Sequence, residues 1–282
     1  MNEVSILSVI ATHVEFCQGI KGPLFRLTRT PQSIKAHLLF IAPLFEQANQ
    51  TRHHITRSAI NAYYQEFETI IFDHYGTGDS AGDLNEVDLA LWQQDIVKQI
   101  SVIRTRSAKP IYLSVPLSAI LLLTEQVLSD VKGIFLLQPE FNGKRFIQQF
   151  KRLALIAKPI VKGNAGKNYP VDKTNIEIAG YNMQAQLLTD IAERHFAQLS
   201  SFVGECYWFE WLNKDETLNP KKVQQQQNLE HQCSTFQSYL VADMKFWQTS
   251  SLTLSANYLE QEKMLFSQLE GTLNFTSSQV TI

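Results

Sequence analysis

The sequence predicts an α/β fold built on a mostly parallel, doubly wound sheet. Short apolar runs recur along the chain, and amphipathic stretches of helical period separate them. Runs that are apolar throughout are typical of strands covered on both faces, and strands that alternate with helices are typical of parallel sheets. A chain of 282 residues can bury one large core, so we expect a single domain over residues 1–282.

Six apolar runs, each followed by a turn signal, are the predicted strands. They cover residues 37–43, 69–73, 110–115, 133–138, 175–179 and 206–211. The amphipathic stretches predict helices over residues 48–64, 90–103, 117–128 and 184–199. Ahead of the first strand, residues 14–16 and 24–27 flank two glycines and predict an antiparallel hairpin at the sheet edge.

The segment 139–174 interrupts this alternation with a basic, helix-like stretch followed by glycines and a proline. Many α/β enzymes carry a cap over the site in an insertion of this kind. We therefore expect either a short cap insertion over residues 139–174 or a surface excursion.

Charge and hydropathy exclude several classes of partner. The net charge is −2 and the basic residues are scattered, which argues against a nucleic-acid partner or a polybasic membrane patch. The longest apolar run, residues 119–123, is too short for a transmembrane segment, and the N-terminus lacks the positive region of a signal peptide. A cytoplasmic location is expected.

The cysteines and histidines do not predict a metal site or a cofactor. Cys17, Cys206 and Cys233 form no C-x-x-C pair, which is typical of free thiols in a reducing compartment. The adjacent His53 and His54 have no further ligands at metal spacing.

A glycine-rich loop is the most specific motif in the chain. Residues 73–83 read DHYGTGDSAGD directly after a predicted strand. They fit neither the P-loop pattern nor the dinucleotide-binding pattern. The loop instead resembles the one that follows the fourth strand of α/β-hydrolases, where glycines permit a compact turn beside the site.

A second segment extends this resemblance. Residues 43–52, PLFEQANQTR, follow the strand after which such enzymes place their oxyanion-hole loop. Together the two segments resemble the exosortase A system-associated hydrolase 2 family, whose members carry P-P-F-x-E-E-x-N-x-x-R and then G-x-G-D-S-x-G-D. Weaker matches continue in order to Phe246 and Trp247. The resemblance implies an α/β-hydrolase fold and a gene neighbourhood concerned with exopolysaccharide and surface-protein sorting; it leaves the substrate open.

The nucleophile of an α/β-hydrolase lies on a strained strand-to-helix turn written G-x-S-x-G. The predicted turn here is Ser114-Val-Pro-Leu-Ser118, with Pro116 at its centre. Proline carries no nucleophile and cannot adopt positive φ, so we expect both the hydroxyl and the turn geometry to be lost. Ser114 and Ser118 are the remaining nucleophile candidates, and their alternative role is turn packing or capping.

The acid and the base of a triad are also missing from the expected positions. The acid should follow the predicted strand 175–179, but residues 180–183 include no carboxylate. The base should follow the predicted strand 206–211, but residues 212–215 include no histidine. Without an oriented base, Ser-His-Asp chemistry has no physical basis.

Five residues are the predicted ligand-binding set: Leu44, Phe45, Glu46, Arg52 and Asp79. They lie in the two loops that carry the resemblance, where parallel sheets place their ligand pockets. The structural alternative is that Glu46 pairs with Arg52 across the loop, Asn49 caps the following helix, and Asp79 and Ser80 only form the turn.

Three functions remain open from the sequence. The first is an α/β-hydrolase-like protein with a degenerate triad that binds a small molecule, an acyl or sugar ligand, or a protein partner as an accessory in surface biogenesis. The second is an active esterase- or acyl-transfer-like hydrolase that uses Glu46, Arg52 and Ser114. The third is a scaffold whose cleft is filled by Phe45 and cap side chains.

Overall fold

The computed structural model of the chain describes residues 10–157, 175–213, 216–249 and 252–269. Within these ranges, ten strands are β1 Thr12–Gln18, β2 Pro23–Arg29, β3 Ala36–Phe40, β4 Phe67–Phe72, β5 Ile111–Pro116, β6 Gly133–Leu137, β7 Asn175–Ile178, β8 Tyr181–Gln184, β9 Glu205–Trp211 and β10 Thr235–Val241. The α-helices are α1 Glu46–Tyr64, α2 Leu89–Arg106, α3 Glu125–Leu128, α4 Gly143–Ala157, α5 Ala185–Ala192, α6 Pro220–Gln232 and α7 Ala256–Gln268.

Eight of the strands form one sheet in the order β1-β2-β4-β3-β5-β6-β9-β10. The hairpin of β1 and β2 is antiparallel and joins the sheet through an antiparallel pairing of β2 with β4. All neighbours from β4 to β10 are parallel. The expected doubly wound, mostly parallel sheet with an N-terminal antiparallel hairpin is therefore confirmed.

The sheet separates two hydrophobic layers. Alternate residues of β3 face opposite sides: Leu39 packs with the layer that includes α2, α4 and α5, whereas Leu38 and Phe40 pack with the layer that includes α1 and α7. Side chains of a strand alternate between the two faces, so a central strand is mostly apolar when both faces are covered. This explains why the apolar runs identified the central strands.

The predicted strand 175–179 is wrong as a member of the main sheet. Its residues form β7, which pairs antiparallel with β8 in a separate two-stranded hairpin. The turn between them places Ala179 at φ 53° and Gly180 at φ 82°. This hairpin, α4 and α5 all lie between β6 and β9 in the chain, and residues 158–174 of the predicted insertion lie outside the described ranges.

The last strand of the sheet, β10, is missing from the sequence prediction. It reads TFQSYLV, and only Val241 within it is buried. An edge strand has one open side and needs no continuous apolar run, so it leaves a weak signal. The predicted helix 117–128 also differs: it consists of a 3₁₀ helix, Leu117–Leu122, and of α3, which begins where Thr124 accepts a hydrogen bond from the Val127 amide.

Two further expectations concern the whole chain. The three cysteines are free thiols. Among the described residues, no helix has both the length and the apolar character needed to cross a membrane.

Candidate functional site

The turn after β5 keeps a strained backbone, one residue later than predicted. Pro116 is the last residue of β5, with φ −81° and ψ 139°, and it pairs in register with Leu137 of β6. Leu117 follows with φ 51°, a conformation that costs free energy for any residue with a Cβ. The expectation that Pro116 abolishes the turn geometry is therefore corrected: the positive φ is at Leu117, whose apolar side chain is buried.

Two backbone amides near this turn, those of Ser118 and Leu44, have hydrogen-bond partners within the protein. The Ser118 amide donates to Oε1 of Gln47 at 3.2 Å, and the Ser118 hydroxyl donates to the same oxygen at 2.6 Å. The amide of Leu44, in the loop after β3, donates to the Ser118 hydroxyl at 2.9 Å. Gln47 and Ser118 therefore join the loop after β3 to the turn after β5, and Ser118 has a structural role here.

The segments after the last two strands of the sheet carry an ion pair. Glu216, after β9, accepts hydrogen bonds from the amide and side chain of Asn213 and lies 3.3 Å from Nζ of Lys245, after β10. Residues 242–249, which follow β10, include no histidine. Asp243 in this segment binds the hydroxyl of Ser255 and the amide of Tyr258, which places it in the packing of α7.

The glycine-rich loop after β4 encloses the carboxylate of Asp73. The Asp79 amide donates to Oδ2 of Asp73 at 3.0 Å, and the Ser80 hydroxyl donates to the Asp73 carbonyl at 2.6 Å. Gly78 has φ 54°, and a Cβ there would lie 2.1 Å from Oδ2 of Asp73. The loop therefore requires glycine at position 78 to close over this carboxylate.

Arg52 of α1 binds the enclosed carboxylate. Its Nη1 and Nη2 atoms lie 3.3 and 3.5 Å from Oδ1 and Oδ2 of Asp73. The Arg52 side chain is 54% exposed, whereas that of Asp73 is 9% exposed. The predicted pairing of Arg52 with Glu46 is therefore wrong: the partner is Asp73, which follows β4.

Glu46 instead binds the β7–β8 hairpin. The Tyr181 hydroxyl donates to Oε2 of Glu46 at 3.2 Å, and burial, followed by the neighbouring Glu46 charge, raises the pKa of Tyr181 to about 12. Asn49 does not cap α1; it lies inside the helix and donates to the Tyr181 hydroxyl at 3.5 Å. The first turn of α1 thus holds the hairpin in place.

Phe45 connects the loop after β3 to α4. It has φ 54° and ψ −129°, and its ring stacks on Phe150 with centroids 4.4 Å apart and on Phe146 at 6.1 Å. Tyr181 and Trp92 also contact the Phe45 ring. These contacts fill the space next to Phe45, as the scaffold hypothesis expects, but they do not fill the neighbouring cleft.

That cleft, which we call the Arg52 cleft, has a volume of about 690 Å³. Its volume is within the range of small-molecule sites. One wall is apolar and comes from β2, β4 and α1; the polar rim includes Arg52, Asn49, Tyr181 and Asp83. Leu44 and Phe45 line it too, whereas Glu46 and Asp79 do not. Asp79 is exposed and contributes its backbone to the loop.

His74 lies at the floor of the Arg52 cleft as a neutral imidazole. Burial lowers its pKa to about 4. Its Nε2 lies 3.1 Å from the carbonyl oxygen of Ala42, which only accepts, so Nε2 carries the proton and Nδ1 is an acceptor. Nδ1 is buried and has no hydrogen-bond partner. His74 lines the cleft, whereas Leu117 and Ser118 of the turn after β5 do not, so its contacts give it no role as a triad base.

Several residues of these two sites were absent from the sequence prediction: Gln47, Asp73, His74, Leu117 and Tyr181. Gln47 and Asp73 lie inside the two motifs, but their partners are distant in sequence and only the folded chain brings them together. Among the described residues, no group of three or more His, Cys, Asp and Glu side chains is arranged to hold a metal ion.

Comparison with known proteins supports the fold. No protein-family profile matches the sequence, and no curated protein sequence matches it. Solved structures of α/β-hydrolase fold do match over most of the chain. The esterase Est1E from Butyrivibrio proteoclasticus, with ferulic acid bound, has a TM-score of 0.60 at 12% identity and covers 89% of this chain and 97% of its own.

Two further matches extend this result to other hydrolases. A soluble variant of monoglyceride lipase from Saccharomyces cerevisiae, in complex with a substrate analogue, has a TM-score of 0.59 at 11% identity and covers 94% of this chain and 97% of its own. The Pyrococcus furiosus esterase Pf2001 has a TM-score of 0.57 at 10% identity, with 91% of each chain covered. The chain has the α/β-hydrolase fold, and at these identities the likeness concerns the fold alone.

Proposed function

We propose that this protein is an α/β-hydrolase-like binding protein in which the catalytic triad is degenerate. The observation that carries the proposal is Leu117 at φ 51° on the turn after β5. In hydrolases of this fold, the nucleophile occupies the strained residue of the turn that leaves a strand for a helix. Leucine has no nucleophilic atom, and here its side chain is packed in the layer that includes Phe246 and Trp247.

The occupied amides support the same conclusion. An oxyanion hole needs the amide of the residue after the nucleophile and an amide from the loop after β3, both open to the substrate oxygen. At these two places the Ser118 amide donates to Gln47 and the Leu44 amide donates to the Ser118 hydroxyl. Both amides thus have acceptors within the protein, which leaves them less available to a reacting carbonyl.

The third argument concerns the acid and the base. They follow the nucleophile in chain order in these enzymes. The segment after β9 supplies a carboxylate, Glu216, but this carboxylate is paired with Lys245, and residues 242–249 after β10 include no histidine. An ammonium has no lone pair that could accept a proton, so Lys245 does not replace the histidine.

The biological role and the architecture complete the proposal. We propose an accessory role in exosortase-linked exopolysaccharide and surface biogenesis, on the motifs of residues 43–52 and 73–83, and a cytoplasmic location. We also propose that residues 1–282 form one domain, with the insertion 139–174 as a cap. The contact of Phe45 with Phe146 and Phe150 of α4 supports the cap.

The alternative is an active hydrolase with a non-standard site. The structural matches include esterases and a lipase, and these favour a hydrolase activity in general terms. The geometry around its residues argues against it: Ser114 lies on β5 and is 2% exposed, and Glu46 and Arg52 bind Tyr181 and Asp73. His54 lines the same small cavity as Ser114, but its Nε2 already accepts a hydrogen bond from the Ser255 amide.

The experiment that separates the two functions uses the full chain with p-nitrophenyl acetate and butyrate, and with a serine-reactive fluorophosphonate. We expect no ester turnover above buffer and no labelled serine. Turnover or labelling that is lost in Ser114→Ala or Ser118→Ala would establish the active hydrolase, provided that circular dichroism shows a folded variant. Ser129→Ala, at an exposed serine, is the matched control.

A further inference from the structure

We propose that the Arg52 cleft binds an amphipathic ligand whose polar end is a carboxylate. This inference rests on the proposed binding function and adds the chemical class of the ligand. The cleft is separate from the turn after β5: it lies over the C-terminal ends of β3 and β4, against α1 and the β7–β8 hairpin, and Leu117 and Ser118 do not line it.

The polar end is assigned from the way in which Asp73 holds Arg52. A guanidinium has five N–H donors in a planar fork, and Asp73 binds one edge of that fork through both Nη atoms. Asp73 is itself held by the Asp79 amide and is nearly inaccessible to solvent. The buried carboxylate therefore orients Arg52, and the remaining donors of the exposed guanidinium are available to a group in the cleft.

The apolar end is assigned from the wall of the cleft. Phe25 and Leu27 of β2 and Ile71 of β4 line it and are only half-buried, although they lie inside the sheet. Leu27 and Ile71 are direct partners in the antiparallel pairing of β2 with β4, so their side chains point to the same face. An apolar ligand body would remove this surface from water, which is favourable in proportion to the area covered.

The charges of the cleft make the proposal sharper. Apart from Arg52 and Asp73, the charged side chain of the lining is Asp83, which is exposed. Arg52 and Asp73 neutralise each other in formal charge, which leaves the single negative charge of Asp83. Because Asp83 is exposed, solvent weakens its repulsion of an anion. If the ligand is a carboxylate, two substitutions should therefore have opposite effects on its affinity. Loss of Arg52 weakens binding, and loss of the Asp83 charge strengthens it.

The test is isothermal titration of the full chain with decanoate, and with decanol and decyltrimethylammonium as probes of the same chain length. We expect one decanoate per chain, bound at least about tenfold more tightly than decanol. Arg52→Gln is expected to weaken decanoate binding by about tenfold to a hundredfold. Asp83→Asn is expected to strengthen it by up to about fivefold. Arg57→Gln, an exposed arginine of the same helix outside the cleft, should change nothing.

A second variant keeps the test decisive if Arg52→Gln disturbs the loop. Leu27→Trp leaves Arg52 and Asp73 in place and fills the apolar part of the cleft, so it should abolish binding. Equal binding of decanoate and decanol, tighter binding of the ammonium, or no decanoate binding below about 1 mM would overturn the proposed ligand class. None of these results requires ester turnover. Conversely, turnover would overturn the proposed function while decanoate binding could stand.

Discussion

At the scale of single residues, Gln47 makes the side-chain hydrogen bonds that hold the turn after β5. Its side-chain oxygen accepts from the amide and from the hydroxyl of Ser118, and the Ser118 hydroxyl accepts from Leu44. Two loops that belong to different strands are thus joined through one amide oxygen. A buried hydrogen bond contributes modestly, but a buried donor left without an acceptor is costly.

We therefore predict that Gln47→Ala lowers the free energy of unfolding by about 1–3 kcal/mol, because the Ser118 amide and hydroxyl lose their acceptor. Urea denaturation of the full chain measures this change. Gln50→Ala, in the next turn of α1, is the matched control and should stay within about 0.5 kcal/mol of the parent. Equal losses in the two variants would show that the Gln47 oxygen does not hold the turn.

The position of the strained residue shows where sequence prediction ends at this scale. The motif located the turn within residues 114–118, but not the residue with positive φ. That residue depends on where β5 stops, and the pairing of Pro116 with Leu137 extends the strand by one residue beyond the prediction. Such a pairing involves residues 21 positions apart, so local sequence does not determine it.

At the scale of elements, the glycine-rich loop encloses the carboxylate of Asp73. Gly76, Gly78 and Gly82 all have positive φ, and each would place a Cβ within 3 Å of other atoms. Only at Gly78 is that neighbour the carboxylate of Asp73. Gly180 in the β7–β8 turn also has positive φ, but no atom lies within 4 Å of its would-be Cβ.

This contrast gives a prediction with an internal control. Gly180→Ala should cost about 1 kcal/mol, because it adds only the strain of a left-handed alanine. Gly78→Ala should cost about 2 kcal/mol more, since it also displaces Asp73 from Arg52 and from the Asp79 amide. Thermal or urea unfolding of the two variants measures the difference. A similar cost for both would mean that contact with Asp73 adds nothing to the loop.

A strand could be predicted from the sequence when both of its faces are buried. The central strands β3 to β6 and β9 are nearly all buried, so their sequences are mostly apolar. The edge strand β10 and the hairpin strand β7 include exposed positions, and their patterns do not specify which sheet they join. The candidate cleft was predicted in its loops, through Leu44, Phe45 and Arg52, but not in its ion pair.

At the scale of the whole molecule, three buried titratable side chains shape the pH dependence of stability. Burial lowers the pKa values of His54 and His74 to about 4 and raises the pKa of Glu262 to about 7. His54 and Glu262 lie in the layer between α1 and α7, where His54 accepts from the Ser255 amide and Glu262 accepts from Ser58. His74 lies on the other side, at the Arg52 cleft.

The signs of these contributions differ. As the pH falls from 6.5 to 4, the unfolded chain protonates both histidines and the folded chain does not, so each lowers stability by up to about 1.4 kcal/mol per pH unit. As the pH rises from 4.5 to 7, the unfolded chain ionises Glu262 and the folded chain does not, so this group also lowers stability. Between pH 4.5 and 6.5 the glutamic acid therefore offsets one of the two histidines.

We predict that Glu262→Gln steepens the rise of stability between pH 4.5 and 6.5, because it removes the opposing contribution while Gln still accepts from Ser58. Urea denaturation at several pH values measures the slope, which should increase by about 1.4 kcal/mol per pH unit at most. Glu260→Gln, at an exposed position of the same helix, is the control and should leave the slope unchanged. An unchanged slope in Glu262→Gln would mean that this carboxyl ionises normally in the folded chain.

The bond between Gln47 and Ser118 has a consequence for the evolutionary history of a protein with the proposed function. A single change of Leu117 to serine would restore a hydroxyl beside donors that Gln47 already occupies, and no histidine would follow β10. A single loss of Gln47 would free the donors at a cost in stability and without a nucleophile. Neither first step offers selection an improvement. Return to hydrolysis would need several coordinated substitutions. The loss of catalysis is therefore difficult to reverse, and further substitutions can improve ligand binding without affecting an enzymatic activity.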